Sequence, residues 1–125
     1  MTERPTPVAT VAGPSAAPGM VWVHVREDLD LATVDGARAG LAAVLDGTPA
    51  PGCVAVHVGV DRFVDLRGMR MLLQAAERAR RRGGELVVVA PSTSVRLLAE
   101  LLRCQDALPM ASTAEEAVRW WAGRR

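Results

Sequence analysis

Asp61 and Asp65 bracket a turn, a placement that suggests a phospho-aspartate site. Such a site also needs a Lys at a later strand end to contact the acyl phosphate, and every one of the fifteen basic residues is Arg. Without Lys there is also no phosphate-cradling GxxxxGK[ST] loop and no Schiff base. Ser92, Thr93 and Ser94 offer hydroxyls, yet no His lies in their segment to activate one as a nucleophile. Cys53 and Cys104 are far apart and neither belongs to a CxxC pair. With only His24 and His57 besides, no zinc pattern forms. Each His stands between two Val residues and reads as a packed or part-exposed strand residue. No catalytic residue, metal ligand set or cofactor is expected, which favours a binding domain over an enzyme.

A chain of 125 residues, half of them apolar, is one domain's worth and enough for a real core. A formal charge of +1 gives no global field toward nucleic acid or an acidic membrane. Arg78, Arg80, Arg81 and Arg82 form a local cluster, but without interleaved aromatics it reads as the solvated last turn of a helix, where cations complement the dipole. No apolar run approaches the ~18 residues that suggest a membrane span. The N-terminus lacks the order of a signal peptide, so the expected location is the cytoplasm.

Residues 1–7 are polar and Pro-containing and read as a flexible tail, the domain as residues 8–121, and 122–125 as a second tail. Val8–Val11 suits an edge strand, and Gly13–Gly19 is a breaker-rich loop. Met20–Val25 alternates, with Val21, Val23 and Val25 on one face and Trp22, His24 and Arg26 on the other. Thr33–Leu45 has a helical stripe of Val34, Ala37, Leu41, Val44 and Leu45, with Asp30 or Thr33 available to cap it. Gly40 and Gly36 weaken this helix but allow a neighbour to pack closely.

Cys53–Val58 is nearly unbroken apolar, as central strands covered on both faces are. Arg67–Arg82 reads as a second helix with Met69, Leu72, Leu73, Ala76 and Ala79 inward, stopped by Gly83 and Gly84. Glu85–Ala90 is another buried strand, Val95–Arg103 a helix carrying Leu97, Leu98, Leu101 and Leu102, and Leu108–Ala111 a short strand. A last helix begins at Ser112 or Thr113, each with a Glu three residues on for a capping box. Trp120 and Trp121 near its end suit core packing, with Trp121 a candidate for exposure at a partner surface. A leading hairpin followed by alternating units implies an α/β sandwich. Its sheet would be mixed and largely parallel, with four to five strands and about four helices.

This order resembles the STAS domain (sulfate transporter and anti-sigma factor antagonist) over roughly residues 8–121. Asp28, Leu29, Asp30, Leu31, Ala32 and Thr33 look like the family's Gly-Glu-Leu-Asp-Leu-Ala-Thr approach to the first helix, with Glu27 where Gly is usual. Phe63, Val64, Asp65 and Gly68, then Met69, Leu72 and Leu73, resemble its Phe-x-Asp-Ser-Ser-Gly-Leu turn and second helix. Gly83, Gly84, Pro91, Ser92 and Val95, and then Leu108, Pro109 and Ser112–Ala117, are similar to the remainder. His57 stands where the family more often has Asp or Asn.

The resemblance implies a domain that binds a kinase-type anti-sigma factor through Asp65, Leu66, Arg67, Gly68, Met69 and Arg70, as a monomer. In the family's switch proteins the kinase phosphorylates the Ser directly after the Asp; here that position is Leu66, followed by Arg67. No hydroxyl residue lies between Cys53 and Gly84, so no phosphorylation of this turn is expected. Leu66 is open to two readings, an exposed interface anchor or a plug folded onto the core. Two other functions remain: a non-switching scaffold or subunit of a transporter or signalling complex, and a small-ligand domain using the carboxyl ends of the sheet.

Overall fold

The structure is a computed structural model and describes residues 8–11, 18–90 and 92–124. The expected N-terminal tail, most of the loop at 13–19 and Pro91 lie outside the described residues. The elements are β1 (Val8–Val11), β2 (Met20–Val25), α1 (Val34–Gly47), β3 (Cys53–Val58), α2 (Leu66–Arg81), β4 (Glu85–Val89), α3 (Thr93–Leu101), β5 (Met110–Ala111) and α4 (Ala114–Arg124).

The five strands lie in sequence order, β1 antiparallel to β2 and the remaining pairs parallel. A sheet that grows in one direction through right-handed crossovers puts every crossover helix on the same face. The burial agrees: residues of α1, α2 and α3 share one core with Val23, Val25, Val54, Val56, Val58, Leu86 and Val88. The opposite face falls to α4, whose Ala117 and Trp121 cover Trp22, Cys53, Ala55, Val87, Val89 and Ala111. This is why β3 and β4 read as unbroken apolar runs: both of their faces are covered.

Side-chain caps explain where two helices begin. Asp65 caps α2, its carboxylate accepting the Gly68 amide at 2.9 Å. Thr113 caps α4 by accepting the Glu116 amide at 3.1 Å, while the Glu116 carboxylate accepts the Ser112 amide at 3.3 Å. At α1 the expectation holds only in part. Thr33 occupies the cap position but its hydroxyl turns back, donating to the Asp28 carbonyl and accepting the Asp30 amide. Gly40 gives α1 its approach to β1, because a Cβ there would run into the Val8 side chain.

The burial of α3 and α2 refines their helical faces. In α3 the inward residues are Val95 and Ala99, with Leu98 half-buried, whereas Leu97, Leu101 and Leu102 are exposed. The helix starts at Thr93 and ends at Leu101, two residues earlier at each end than its leucines suggested, and Arg103 turns the chain at φ 53°. In α2 the small residue Ala75 and the long Met71 are buried beside Met69 and Leu72, because α2 packs against α1 as well as the sheet, and Leu73 is only half-buried. The last turn of α2 is used structurally: Arg78 holds Asp46 of α1 at 2.8 Å, and Arg82 donates to the Asp46 carbonyl at 3.2 Å.

At the C-terminus, α4 runs on through Arg124, into the segment expected as a tail, and Arg124 pairs with Glu85 at 2.9 Å. Trp121 is buried rather than offered to a partner, and its indole N–H donates to the Pro18 carbonyl at 3.1 Å. Trp120 is half-buried with the Arg124 guanidinium 4.8 Å above its ring. Because among the described residues α4 is the helix that covers this sheet face, Trp121→Ala is expected to cost about 3–5 kcal/mol, the range for truncating a large core aromatic. Urea unfolding of the variant beside the parent chain measures it; a loss below about 1 kcal/mol would show that α4 is not anchored through this ring.

Candidate functional site

β2 and β3 run in register to Val25 and Val58, so the loops that follow them leave the sheet side by side. The loops are then spliced. Leu29 forms a parallel bridge with Val64, donating its amide to the Phe63 carbonyl at 2.8 Å and accepting the Asp65 amide at 3.0 Å. The Asp28 carboxylate accepts the Phe63 amide at 2.8 Å. Leu29 and Val64 are the apolar bolts of this splice, both buried in the helical core.

Gly68 lets α2 come down onto the splice. A Cβ at Gly68 would stand 2.6 Å from the Leu29 carbonyl oxygen and 2.7 Å from its Cβ, so no side chain fits without moving backbone. Asp65 therefore has two structural duties, with its amide on Leu29 and its carboxylate on Gly68. Arg67 lies 3.9 Å from that carboxylate, at the limit of an ion pair.

This rigid frame presents apolar side chains to solvent. Leu66 is 50% exposed at the first position of α2, so it is not a core plug. Leu31, Val60 and Phe63 on the two spliced loops are also exposed, at 68%, 72% and 61%. In the sequence Leu31 and Phe63 stand out only as motif markers, and Val60 does not stand out at all. Their signal was available: large apolar residues in loops, out of step with any buried stripe. Arg67 and Arg70 are exposed beside Leu66. Met69 and Gly68, expected at the docking surface, are buried instead, Met69 completely, because the third and fourth positions of α2 turn under toward Leu29.

The other candidates lie elsewhere. Asp61 is exposed, and its partner in the phospho-aspartate reading, Asp65, is committed to the helix cap. Ser92 and Ser94 hydroxyls bond each other at 2.7 Å at the start of α3. Burial pushes the Cys53 thiol up to about 12, with Glu85 adding to it, and also raises Cys104, so neither is a ready thiolate. His24 and His57 face one another on β2 and β3. A groove of about 460 Å³, lined by Glu85, Arg96, Trp120 and Arg124 among others, opens at the start of β4, away from the carboxyl ends where a sheet-end ligand was expected. Among the described residues no group of three or more His, Cys, Asp or Glu is placed to hold a metal ion, and no helix is long and apolar enough to cross a membrane.

The family model described as STAS domain matches residues 15–117, and the chain belongs to that family. Among solved structures, an anti-sigma factor antagonist from Mycobacterium paratuberculosis is similar at TM-score 0.70 and 22% identity, covering 94% of this chain and 99% of that one. The anti-sigma factor antagonist SpoIIAA in its unphosphorylated form is similar at TM-score 0.65 and 19% identity, covering 93% and 96%. At these identities the likeness is one of fold. No curated protein matches the sequence.

Removing the cap and filling the close approach should differ in size. Asp65→Ala is expected to cost about 1 kcal/mol, the usual value of an N-cap, and Asp65→Asn much less. Gly68→Ala should cost more than Asp65→Ala, because backbone must shift to admit the methyl group. Chemical denaturation of the three variants ranks them; an Asp65→Ala variant as stable as the parent would mean that the cap does not hold the turn.

Proposed function

We propose that the chain is an anti-sigma factor antagonist-like binding domain that captures a kinase-type anti-sigma factor in the cytoplasm. Docking runs through Asp65, Leu66, Arg67 and Arg70, with Asp65 shaping the turn and the other three touching the partner. The observation that carries this reading is the half-exposed Leu66 between a helix cap and Arg67, on a turn spliced rigidly to its neighbour loop. An apolar anchor on a preorganised frame loses little conformational freedom on binding, which is how interfaces gain most of their affinity from few residues. Leu31, Val60 and Phe63 widen the apolar patch, and Arg flanks suit an acidic rim on the partner.

The antagonism has no serine switch in this turn. Phosphorylation would add about two negative charges at the start of α2; Leu66 accepts none, and Arg67 gives the turn the opposite sign. The surface therefore keeps one electrostatic state, and capture is set by the protein's concentration or by the partner's own regulation.

Leu66→Asp is expected to leave unfolding unchanged within about 0.5 kcal/mol, as exposed sites do. The same change should weaken capture of the anti-sigma factor by at least about tenfold, or 1.4 kcal/mol. Unchanged capture would move the interface elsewhere, and no capture by the parent chain would favour the scaffold reading. Incubation with ATP and the anti-sigma kinase, followed by mass mapping, is expected to show no phosphate within Cys53–Gly84. Phosphate in that segment would refute the switchless turn.

A further inference from the structure

His24 and His57 take no part in the docking turn, yet they meet directly beneath it. They are register partners on β2 and β3, one residue before the strands end at Val25 and Val58. Their Nδ1 atoms are 3.1 Å apart, with ring centroids 5.3 Å apart and planes inclined by 22°. The centroid separation is close to the Nδ1···Nδ1 distance plus two ring radii, so the rings meet edge to edge in line. One Nδ1–H therefore donates to the lone pair of the other Nδ1, and the gap holds one proton, since two N–H groups facing each other there would repel.

The surroundings of the pair are apolar. In the same row across the sheet stand Ala9 on β1, Val89 on β4 and Ala111 on β5. The residues that α4 turns toward this face are Ala114, Ala117, Val118, Trp120 and Trp121. Of the charged groups nearby, Arg26 follows His24 by two residues on the same strand face and is exposed, as are Glu115 and Glu116 on α4. The Asp28 carboxylate is engaged by the Phe63 amide. Among the described residues no carboxylate pairs with either imidazole.

We propose that the His24–His57 pair is a proton-operated latch on the β2–β3 ladder, closed while one proton is shared between the rings and open when both imidazoles are cationic. A first added proton enters the free Nε2 of the donor ring and strengthens the bond, which becomes a charge-assisted N–H···N contact. A second must enter the acceptor's Nδ1, whose lone pair the bond occupies. It would set two cations and two opposed N–H groups against each other in a half-buried apolar row, and the rings must part.

Burial, and then the charge on His24, hold His57 below its ordinary value of 6.5. The unfolded chain takes up this proton near 6.5, and the folded chain resists until lower pH. Stability from the closed pair is thus fully present above 6.5 and is lost as pH falls through the lower value of His57. The strand ends released are those that lead to Leu29 and to Phe63–Asp65, so the splice is the part that should loosen.

Nitrogen-15 NMR of the imidazoles in the full chain from pH 8 to 5, with amide hydrogen exchange at each pH, tests the latch. Two macroscopic steps are expected, more than about one pH unit apart, the second below 6.5. Protection factors of the Leu29 and Asp65 amides should fall through the second step, by up to about tenfold per pH unit. His57→Phe should leave a single His24 titration and remove the acid-driven loss of protection. Two imidazoles titrating independently near 6.5 would overturn the latch, and so would two steps with unchanged protection at Leu29 and Asp65. The parent chain alone supplies both decisive readouts. None uses a partner, so the latch and the docking assignment fail separately.

Discussion

Leu29 bonds through both its amide and its carbonyl to the segment Phe63–Asp65, and the shape of the candidate site follows from those two bonds. They join loops far apart in the chain into one extra rung beyond the β2–β3 ladder. Once that rung exists, the rest is constrained. Asp65 has its amide fixed and its carboxylate poised over the first turn of α2, and the helix must approach so closely that only glycine fits at its third position. The Leu29 and Val64 side chains fill the space beneath, which leaves Leu31, Phe63 and Leu66 no room inside.

This explains which parts of the molecule were legible from sequence. Strands β1, β2 and β3 were readable to the residue, because alternation and unbroken apolar runs report directly on one or two covered faces. The capping box of Thr113 and Glu116 was readable too, since its chemistry is local. What failed was the direction of side chains on helices whose neighbours are not local. The helical stripe puts Met69 inward while the family's motif puts it at an interface, and its burial follows the stripe, with α2 crossing Leu29. The leucines of α3 suggested a broad buried face, yet this helix sits at the edge of the sheet over a two-residue strand and buries only Val95 and Ala99 deeply. For Trp121 core packing is what the structure shows, and the exposure also considered is excluded because α4 turns that ring onto the second sheet face.

The site departs from the family's switch at the two residues after the Asp, and the departure has a physical reading. A hydroxyl at the first residue of a helix faces the positive end of the dipole, where added phosphate would be well received. Leu66 substitutes an apolar surface of greater area, and Arg67 follows it. Under the proposed function the change exchanges an adjustable charge for a permanent apolar anchor.

The central claim is that the partner lies on the spliced loops and the start of α2, and the binding footprint tests it most directly. Amide chemical-shift mapping of the labelled chain with the anti-sigma factor is expected to show changes concentrated at residues 27–33 and 60–70, with the α4 face undisturbed. A footprint centred on α4 or on the exposed leucines of α3 would contradict the account.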